Sequence, residues 1–90
     1  MLEIEYTNQF KKDLKNCKKQ GKNLTLIEKL VELLINQKAI PTKHKDHKLI
    51  GSWDGFRELH LDPDWLLIYQ ICQKSHTLIL IRTGSHARLF

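Results

Sequence analysis

One segment constrains the fold of this chain more than any other, because nearly every residue from Trp65 to Cys72 is apolar. A continuous apolar run of this length is typical of a strand in the middle of a sheet. Pro63-Asp64 interrupts the chain before this run, and residues 73–76 have the composition of a turn after it. Residues 56–62 and 77–83, beyond the two turns, also have strand patterns. The second half of the chain therefore predicts an antiparallel meander with Trp65–Cys72 at its centre.

The first half predicts a short strand followed by a helix. Residues 2–6 alternate apolar and charged or polar side chains, as a half-buried strand does. Apolar residues then recur at helical spacing from Phe10 to Cys17, and Thr7 or Asn8 can cap the helix that carries them. Lysines occupy most of the other positions, so this helix is amphipathic and must lie against an apolar surface.

A second amphipathic helix follows and completes the fold prediction. Thr25-Leu26-Ile27-Glu28 has the capping-box pattern and opens a helix expected to run to about Gln37. Residues 38–52 contain Pro41, Gly51 and four lysines, and are predicted to form a long exposed loop. The order of elements predicts an α+β fold, in which two N-terminal helices pack on a small, mainly antiparallel β-sheet. The 90 residues are expected to form a single domain, residues 1–90.

The charge balance favours an anionic partner. The chain has 15 Lys and Arg against 10 Asp and Glu, which gives a net charge of +5. Nucleic acid is the commonest partner of such a basic domain, and a solvated lysine-rich surface is the alternative. No apolar run reaches the roughly 18 residues of a membrane span, and no signal peptide is visible, so a cytoplasmic protein is expected. Cys17 and Cys72 fit no metal or redox spacing and are expected to be buried.

An acid and an imidazole share one face of the strand predicted over residues 56–62. Glu58 and His60 are two residues apart, so their side chains lie opposite Leu59 and Leu61, which we expect to meet the helices. On an open sheet face, such a pair can transfer protons near neutral pH. The alternative is a surface ion pair without catalytic function.

A cation and another imidazole stand at the end of the last predicted strand. Arg82 follows an apolar run, where a free charge is costly. Its forked donors match the oxygens of a phosphate, and a pair with a carboxylate such as Glu58 is the alternative explanation. His86 follows in a C-terminal tail that is predicted to be solvated and to carry little of the core.

The segment Lys43-His44-Lys45-Asp46-His47-Lys48 concentrates cations and imidazoles in the predicted loop. Its three lysines are expected to attract phosphate without reading the nucleotide sequence. His44 and His47 have only Asp46 nearby as a further metal ligand, so the sequence does not support a metal site. No cofactor is expected.

Five ordered segments at matching spacing resemble the YafQ branch of the RelE/ParE toxin superfamily, and the likeness covers essentially the whole chain. The segments are Lys45-Asp46-His47, Leu49–Trp53, Phe56–His60, Pro63–Tyr69 and Arg82–His86, with Phe90 at the end. The resemblance implies a RelE-like microbial RNase fold. It also implies a toxin that cleaves mRNA on the ribosome and is held inactive by a cognate, DinJ-like antitoxin protein.

The reaction that the resemblance implies is attack of an RNA 2′-hydroxyl on the adjacent phosphate, by acid–base catalysis that requires no metal. Four residues match the acid–base positions of the branch: His47, His60, Asp64 and His86. Arg82 matches the position that stabilises the phosphate, and Phe90 matches a C-terminal aromatic that orients the substrate base. Glu58 matches an acidic position that either orients His60 or acts as the base. Which imidazole is the base and which is the acid stays open.

One position departs from the branch. Related loops often have proline after the histidine that His47 matches, whereas this chain has Lys48, so its loop is expected to hold His47 less firmly. Two other functions stay open from the sequence. One is a non-catalytic RNA- or ribosome-binding module. The other is a gyrase inhibitor like the ParE members of the superfamily, which are not expected to carry this set of His and Asp residues.

Overall fold

The computed structural model describes residues 1–90 and shows helices packed on a five-stranded sheet. In chain order the elements are β1 (Glu3–Tyr6), α1 (Asn8–Lys19), α2 (Leu24–Ile35), β2 (His47–Lys48), β3 (Arg57–Asp62), β4 (Trp65–Cys72), β5 (Thr77–Gly84) and α3 (His86–Leu89). Short 3₁₀ turns at Thr42–His44 and Gly51–Trp53 flank β2. The strand order is β1-β5-β4-β3-β2, and only β1 and β5 run parallel. The predicted α+β fold is confirmed.

β4 lies at the centre of the sheet, as its apolar sequence predicts. It pairs with β3 on one side and β5 on the other, and residues 65–69 are all buried. The apolar stripes of α1 and α2 cover one sheet face, where Phe10, Leu30 and Leu67 belong to the main core. Cys17 is buried in this core, whereas Cys72 is partly exposed, contrary to the prediction. Neither these helices, of 12 residues each, nor α3 is long and apolar enough to cross a membrane.

The caps of the two long helices agree with the sequence in one case only. Thr7 caps α1, because its Oγ1 accepts the Phe10 N–H at 2.9 Å. Asn23 caps α2 by accepting the Thr25 N–H at 3.1 Å, so the helix begins two residues before the start that the capping box predicts. Asparagine is a stronger N-cap than threonine, so α2 begins after Asn23 and not after Thr25.

The second face of the sheet is covered, where an open face was predicted. Leu66 and Ile68 of β4 pack with Leu89 of α3 in a small second core. Partly buried side chains surround this core: Leu49, Trp53, Phe56 and Ile81. From the sequence we expected packing, by the two helices, on one face only. A strand that is apolar on both faces must be packed against other elements on both faces. For the same reason, the C-terminal residues fold into α3 and do not form a solvated tail.

Residues 38–52 are more ordered than the predicted exposed loop. His47 and Lys48 form β2, which pairs antiparallel with Glu58 and Arg57 of β3. His44, in the 3₁₀ turn before β2, is only 6% exposed. A two-residue strand and single 3₁₀ turns leave no periodic pattern in a sequence, so the prediction missed them.

Beyond β1, the edge of β5 is closed by a carboxylate. β1 pairs with β5 only as far as Leu80. The buried Asp13 carboxylate of α1 then accepts the Thr83 N–H at 3.2 Å and two bonds from the Arg82 guanidinium, at 2.8 and 3.2 Å. Arg82 therefore pairs with Asp13, and the predicted alternative partner Glu58 is wrong.

A β-bulge accounts for the direction of the Arg82 side chain. The pairing of β5 with β4 shifts register between Ile68 and Tyr69, which leaves Ile81 as an extra residue in β5. Bulges bend a strand and re-aim the side chains beside them. The guanidinium of Arg82 reaches α1 from this bent end of β5.

Asp13→Asn is expected to destabilise the fold by about 2–3 kcal/mol at neutral pH, because a neutral amide leaves Arg82 without its charge partner. Burial alone would raise the pKa of Asp13, but the bonds from Arg82, Gln9 and Thr83 hold the pKa below its ordinary value. The carboxylate therefore stabilises the fold above about pH 4, and this contribution is lost as the pH falls through the folded-state pKa. Urea unfolding at neutral and at decreasing pH measures both effects.

The matched control is Asp54→Asn, which changes an exposed carboxylate that makes no side-chain bond. Its effect on the free energy of unfolding should stay within about 0.5 kcal/mol. The role of the ion pair would be contradicted if the two variants lowered the free energy of unfolding equally. It would also be contradicted if the loss caused by Asp13→Asn did not become smaller at acidic pH.

Candidate functional site

Two imidazoles converge on one buried carboxylate. Glu58 is 5% exposed and stands opposite His47 across β2 and β3, two residues before His60 on β3. Its Oε1 lies 3.6 Å from Nε2 of each imidazole, and the two ring centroids are 6.3 Å apart. The side chains of His47 and His60 are 48% and 26% exposed. These three residues, the His47–Glu58–His60 cluster, can exchange protons with a molecule bound on this face.

The backbone fixes which nitrogen of His47 is available. Nδ1 lies 2.6 Å from the carbonyl oxygen of Lys45, so Nδ1 carries a hydrogen and donates it. Nε2 is then the nitrogen that can accept or release a proton, and it faces Glu58. The orientation of the imidazole is therefore set by the loop as well as by the carboxylate.

Asp46 anchors the loop that carries His47. Its Oδ2 accepts a bond from Arg57 Nη2 at 3.0 Å, and its Oδ1 accepts the Tyr69 hydroxyl at 2.5 Å. Burial and the Asp46 carboxylate raise the pKa of Tyr69, so its hydroxyl keeps the proton that it donates. Side-chain bonds thus hold the residue before His47, in a loop that was expected to be loose because Lys48 replaces proline.

A second group of candidate residues surrounds α3. The Phe90 ring packs edge-on against Trp53, with 5.5 Å between ring centroids, and lies 5.1 Å from the ring of His86. Asp64, in the turn between β3 and β4, accepts the backbone N–H of His86 at 3.4 Å. Leu89 is buried in the second core and fixes this short helix to the sheet. His86, Asp64 and Phe90 are therefore brought together.

Arg82 stands in the same cross-strand row as the His47–Glu58–His60 cluster. Pairing places Glu58 opposite Ile68, and Ile68 opposite Arg82. Two strand spacings, about 10 Å, separate the backbones of Glu58 and Arg82. Nε and Nη2 of Arg82 bond Asp13, whereas Nη1 has no protein partner. The Arg82 side chain is a quarter exposed, and the guanidinium can offer Nη1 to an anion without leaving Asp13.

The three lysines predicted to bind phosphate divide between two openings. Lys43 and Lys45 line a cavity of about 380 Å³ that extends to His60. Lys48 lines a separate opening together with Arg57. The structure therefore brings two of the three lysines to a cavity that His60 also lines.

The two histidines considered as metal ligands have other bonds. Nδ1 of His44 lies 2.7 Å from the carbonyl oxygen of His60, and Nδ1 of His47 is bonded to Lys45. No group of three or more His, Cys, Asp or Glu side chains stands in an arrangement that could hold a metal ion.

From the sequence, three residues that hold the site were given no positioning role. Asp13 carried a usable signal, because it lies three residues after Phe10 and four before Cys17, on the apolar stripe of α1, where a carboxylate needs a partner. Asp46 was considered only as a further metal ligand and as part of the Lys45-Asp46-His47 segment. Trp53 contacts Phe90 from a distant part of the chain, and no local pattern predicts such a contact.

Comparison with known proteins identifies the family. The family described as "Bacterial toxin of type II toxin-antitoxin system, YafQ" matches residues 2–90 of this chain. The chain is 45% identical to the mRNA interferase toxin YafQ of Escherichia coli K12 over 89 residues, which are 98% of this chain and 95% of that protein.

Solved structures agree with this assignment. The crystal structure of YafQ from E. coli BL21(DE3) has a TM-score of 0.92 at 42% identity, over 100% of this chain and 99% of that chain. A metal-bound toxin from Helicobacter pylori has a TM-score of 0.95 at 48% identity, with both chains fully covered. A chain of the E. coli DinJ–YafQ complex has a TM-score of 0.90 at 43% identity, over 100% of this chain and 99% of that chain. The resemblance seen in the sequence is confirmed, and this chain belongs to the YafQ family of bacterial toxins from type II toxin–antitoxin systems.

Proposed function

We propose that this chain is an endoribonuclease toxin that cleaves mRNA. The observation that carries the proposal is the His47–Glu58–His60 cluster, which sets two partly exposed imidazoles against a buried carboxylate beside a lysine-lined cavity. Cleavage of RNA needs a base, an acid and positive charge near the phosphate, and this face carries groups for all three. The E. coli relative at 45% identity is named an mRNA interferase, which supports the same activity here.

In the proposed reaction, one imidazole of the cluster takes the proton of an RNA 2′-hydroxyl. The bond from O2′ to phosphorus forms, the bond from phosphorus to O5′ breaks, and an acid protonates the departing O5′. The acid is the second imidazole of the cluster or His86. Glu58 stabilises the imidazolium that forms, because its Oε1 faces both rings. The products are a 2′,3′-cyclic phosphate and a 5′-hydroxyl.

The remaining candidate residues bind the substrate or position a catalytic group. Arg82 offers Nη1 to the phosphate while Asp13 fixes the rest of the guanidinium. Phe90, which is 49% exposed, presents a ring on which a base can stack. Asp64 keeps His86 at the edge of the same face by accepting its backbone N–H.

We also propose that the substrate is mRNA bound to the ribosome, which places the protein in the cytoplasm. The net charge of +5 favours an RNA-rich surface, and exposed lysines on α1 and on the 43–48 loop supply sequence-independent attraction.

A cognate antitoxin of the DinJ type is the proposed protein partner. The E. coli relative has been solved as a DinJ–YafQ complex. In this chain β2 is an edge strand that carries His47, and β1 forms the other edge of the sheet. An acidic antitoxin segment that adds a strand or lays a helix here would cover a basic active face.

The partner proposal predicts that co-expression with the neighbouring antitoxin gene abolishes toxicity and yields a complex that purifies as one species. In that complex, mRNA cleavage should be lost. His47 or His60 should also become inaccessible to reagents that modify histidine, and the extent of modification measures this. A toxic chain that the neighbouring gene product neither binds nor neutralises would contradict the proposal.

The mechanism predicts that His60→Ala and His86→Ala each slow cleavage about 100-fold or more, because each removes a proton-transfer group. Both side chains are at least partly exposed, so the free energy of unfolding should change by no more than about 1 kcal/mol. Single-turnover cleavage on mRNA-programmed ribosomes and thermal melting measure the two effects separately.

His76→Asn is the matched control for these variants. His76 lies in the turn between β4 and β5 with φ 55°, a conformation that asparagine tolerates, and it is exposed. It should retain the wild-type rate. Wild-type rates from the His60 and His86 variants as well would refute the acid–base assignment and leave a non-catalytic binding module.

The substrate proposal predicts that replacing Lys43, Lys45 and Lys48 together with glutamine weakens RNA or ribosome binding. The salt dependence should flatten by roughly one unit of slope for each lost phosphate contact. The control removes three exposed lysines elsewhere: Lys29, Lys38 and Lys74. Salt slopes that are the same in both triple variants would show that the 43–48 loop has no special role in phosphate binding.

A further inference from the structure

A cavity of about 380 Å³ lies between the start of α2, the 3₁₀ turn before β2 and the end of β3. This volume is at the lower end of the range for small-molecule sites, the size of one nucleotide rather than of a long strand. His60 lines the cavity, so an occupant lies beside the residue that carries a proposed catalytic imidazole. Of the residues that line this cavity, only His60 and the two lysines have a role in the proposed reaction.

His44 is the unusual residue of this cavity. It is 94% buried, and its Nδ1 donates a hydrogen to the carbonyl oxygen of His60 at 2.7 Å. In the neutral imidazole that bond leaves Nε2 as a hydrogen-bond acceptor, and no protein group bonds to it. Every fully buried side-chain nitrogen or oxygen in this structure has a hydrogen-bond partner. Because Nε2 of His44 has none, this atom is accessible to solvent, and His44 lines the cavity.

The other lining groups divide by chemistry in a way that fits a nucleotide. Lys43 and Lys45 are exposed cations that match a phosphate. Asp62, which lines the same cavity as His44, adds a second acceptor, because a carboxylate repels a phosphate but accepts bonds from N–H groups. Leu26 and Pro63 provide apolar surface against which the faces of a base can pack.

We propose that this cavity binds one nucleotide of the RNA next to the cleaved phosphate, and that His44 Nε2 and Asp62 read the edge of its base. Guanine fits best, because its N1–H and N2 amino group are adjacent donors for two acceptors. Uracil fits poorly, because its single N3–H lies between two carbonyl acceptors. The inference deepens the proposed function and rests on it for the identity of the RNA substrate.

His44→Asn separates this function from the structural bond of His44. The amide nitrogen of asparagine occupies nearly the position of Nδ1 and can keep the bond to the His60 carbonyl, while Nε2 is removed. His76→Asn makes the same chemical change outside the cavity and is the matched control.

The first test is titration of the free, full-length protein with GMP, UMP and inorganic phosphate, followed by amide and histidine NMR shifts. GMP should shift His44, Lys43 and Asp62 and bind more tightly than UMP. His44→Asn should weaken GMP binding about three- to tenfold, the loss expected for one hydrogen bond, whereas His76→Asn should not.

Several results would overturn the proposal. These are shifts that map outside the cavity, GMP affinity that His44→Asn leaves unchanged, or equal shifts from phosphate alone, which would mean that the cavity reads charge and not the base. Absence of GMP binding at millimolar concentration would also overturn the proposal.

The second test maps cleavage sites on a mixed-sequence mRNA carried by ribosomes. His44→Asn should redistribute the sites away from guanine next to the cut while the total rate falls far less than in His60→Ala. An unchanged distribution would contradict the specificity role. A wild-type protein that binds GMP in the cavity but cuts no mRNA would refute the proposed function and support the nucleotide site, so the two failures are distinguishable.

Discussion

The central strand β4 is apolar on both faces, and the need to cover it twice determines where the candidate site lies. α1 and α2 cover one face, and α1 also carries Asp13, which holds Arg82. The other face is closed by Trp53 and its neighbours after β2 and by Leu89 of α3. Those covering segments bring His47 and His86 onto the sheet that carries Glu58, His60 and Arg82. The same burial that stabilises the fold therefore assembles the candidate site.

Buried and partly buried carboxylates then fix the side chains of the cations and imidazoles that they face. Asp13 holds Arg82, Glu58 faces two imidazoles, and Asp46 ties the 43–48 loop to Arg57. A buried ion pair contributes little net stability compared with well-packed apolar residues of the same volume, but breaking one is costly. These acids therefore provide defined orientation more than stability. Glu58 also differs from the surface ion pair that the sequence left open, because its side chain is only 7% exposed.

The sequence predicted the elements whose patterns are long and local. The strand at 65–72, the stripe on α1 and the fold class are confirmed, and the motif series from Lys45 to Phe90 identified the family. It did not predict features that depend on distant parts of the chain. Three such contacts are the pairing of β2, the packing of Leu89 and the bond from Arg82 to Asp13. Each joins residues far apart in the chain, which the local periodicity of a strand or a helix does not relate. The bulge at Ile81 also breaks the strict alternation of side chains along β5, so the sequence pattern does not predict the direction of Arg82.

In the proposed reaction, imidazoles on the second sheet face transfer the protons that cleave RNA. The most direct measurement is the chemistry of the ends after a brief reaction of the purified toxin with mRNA-programmed ribosomes. We expect an upstream fragment that ends in a 2′,3′-cyclic phosphate and a downstream fragment that begins with a 5′-hydroxyl. Intact mRNA, or fragments with a 3′-hydroxyl and a 5′-phosphate, would contradict the proposed reaction.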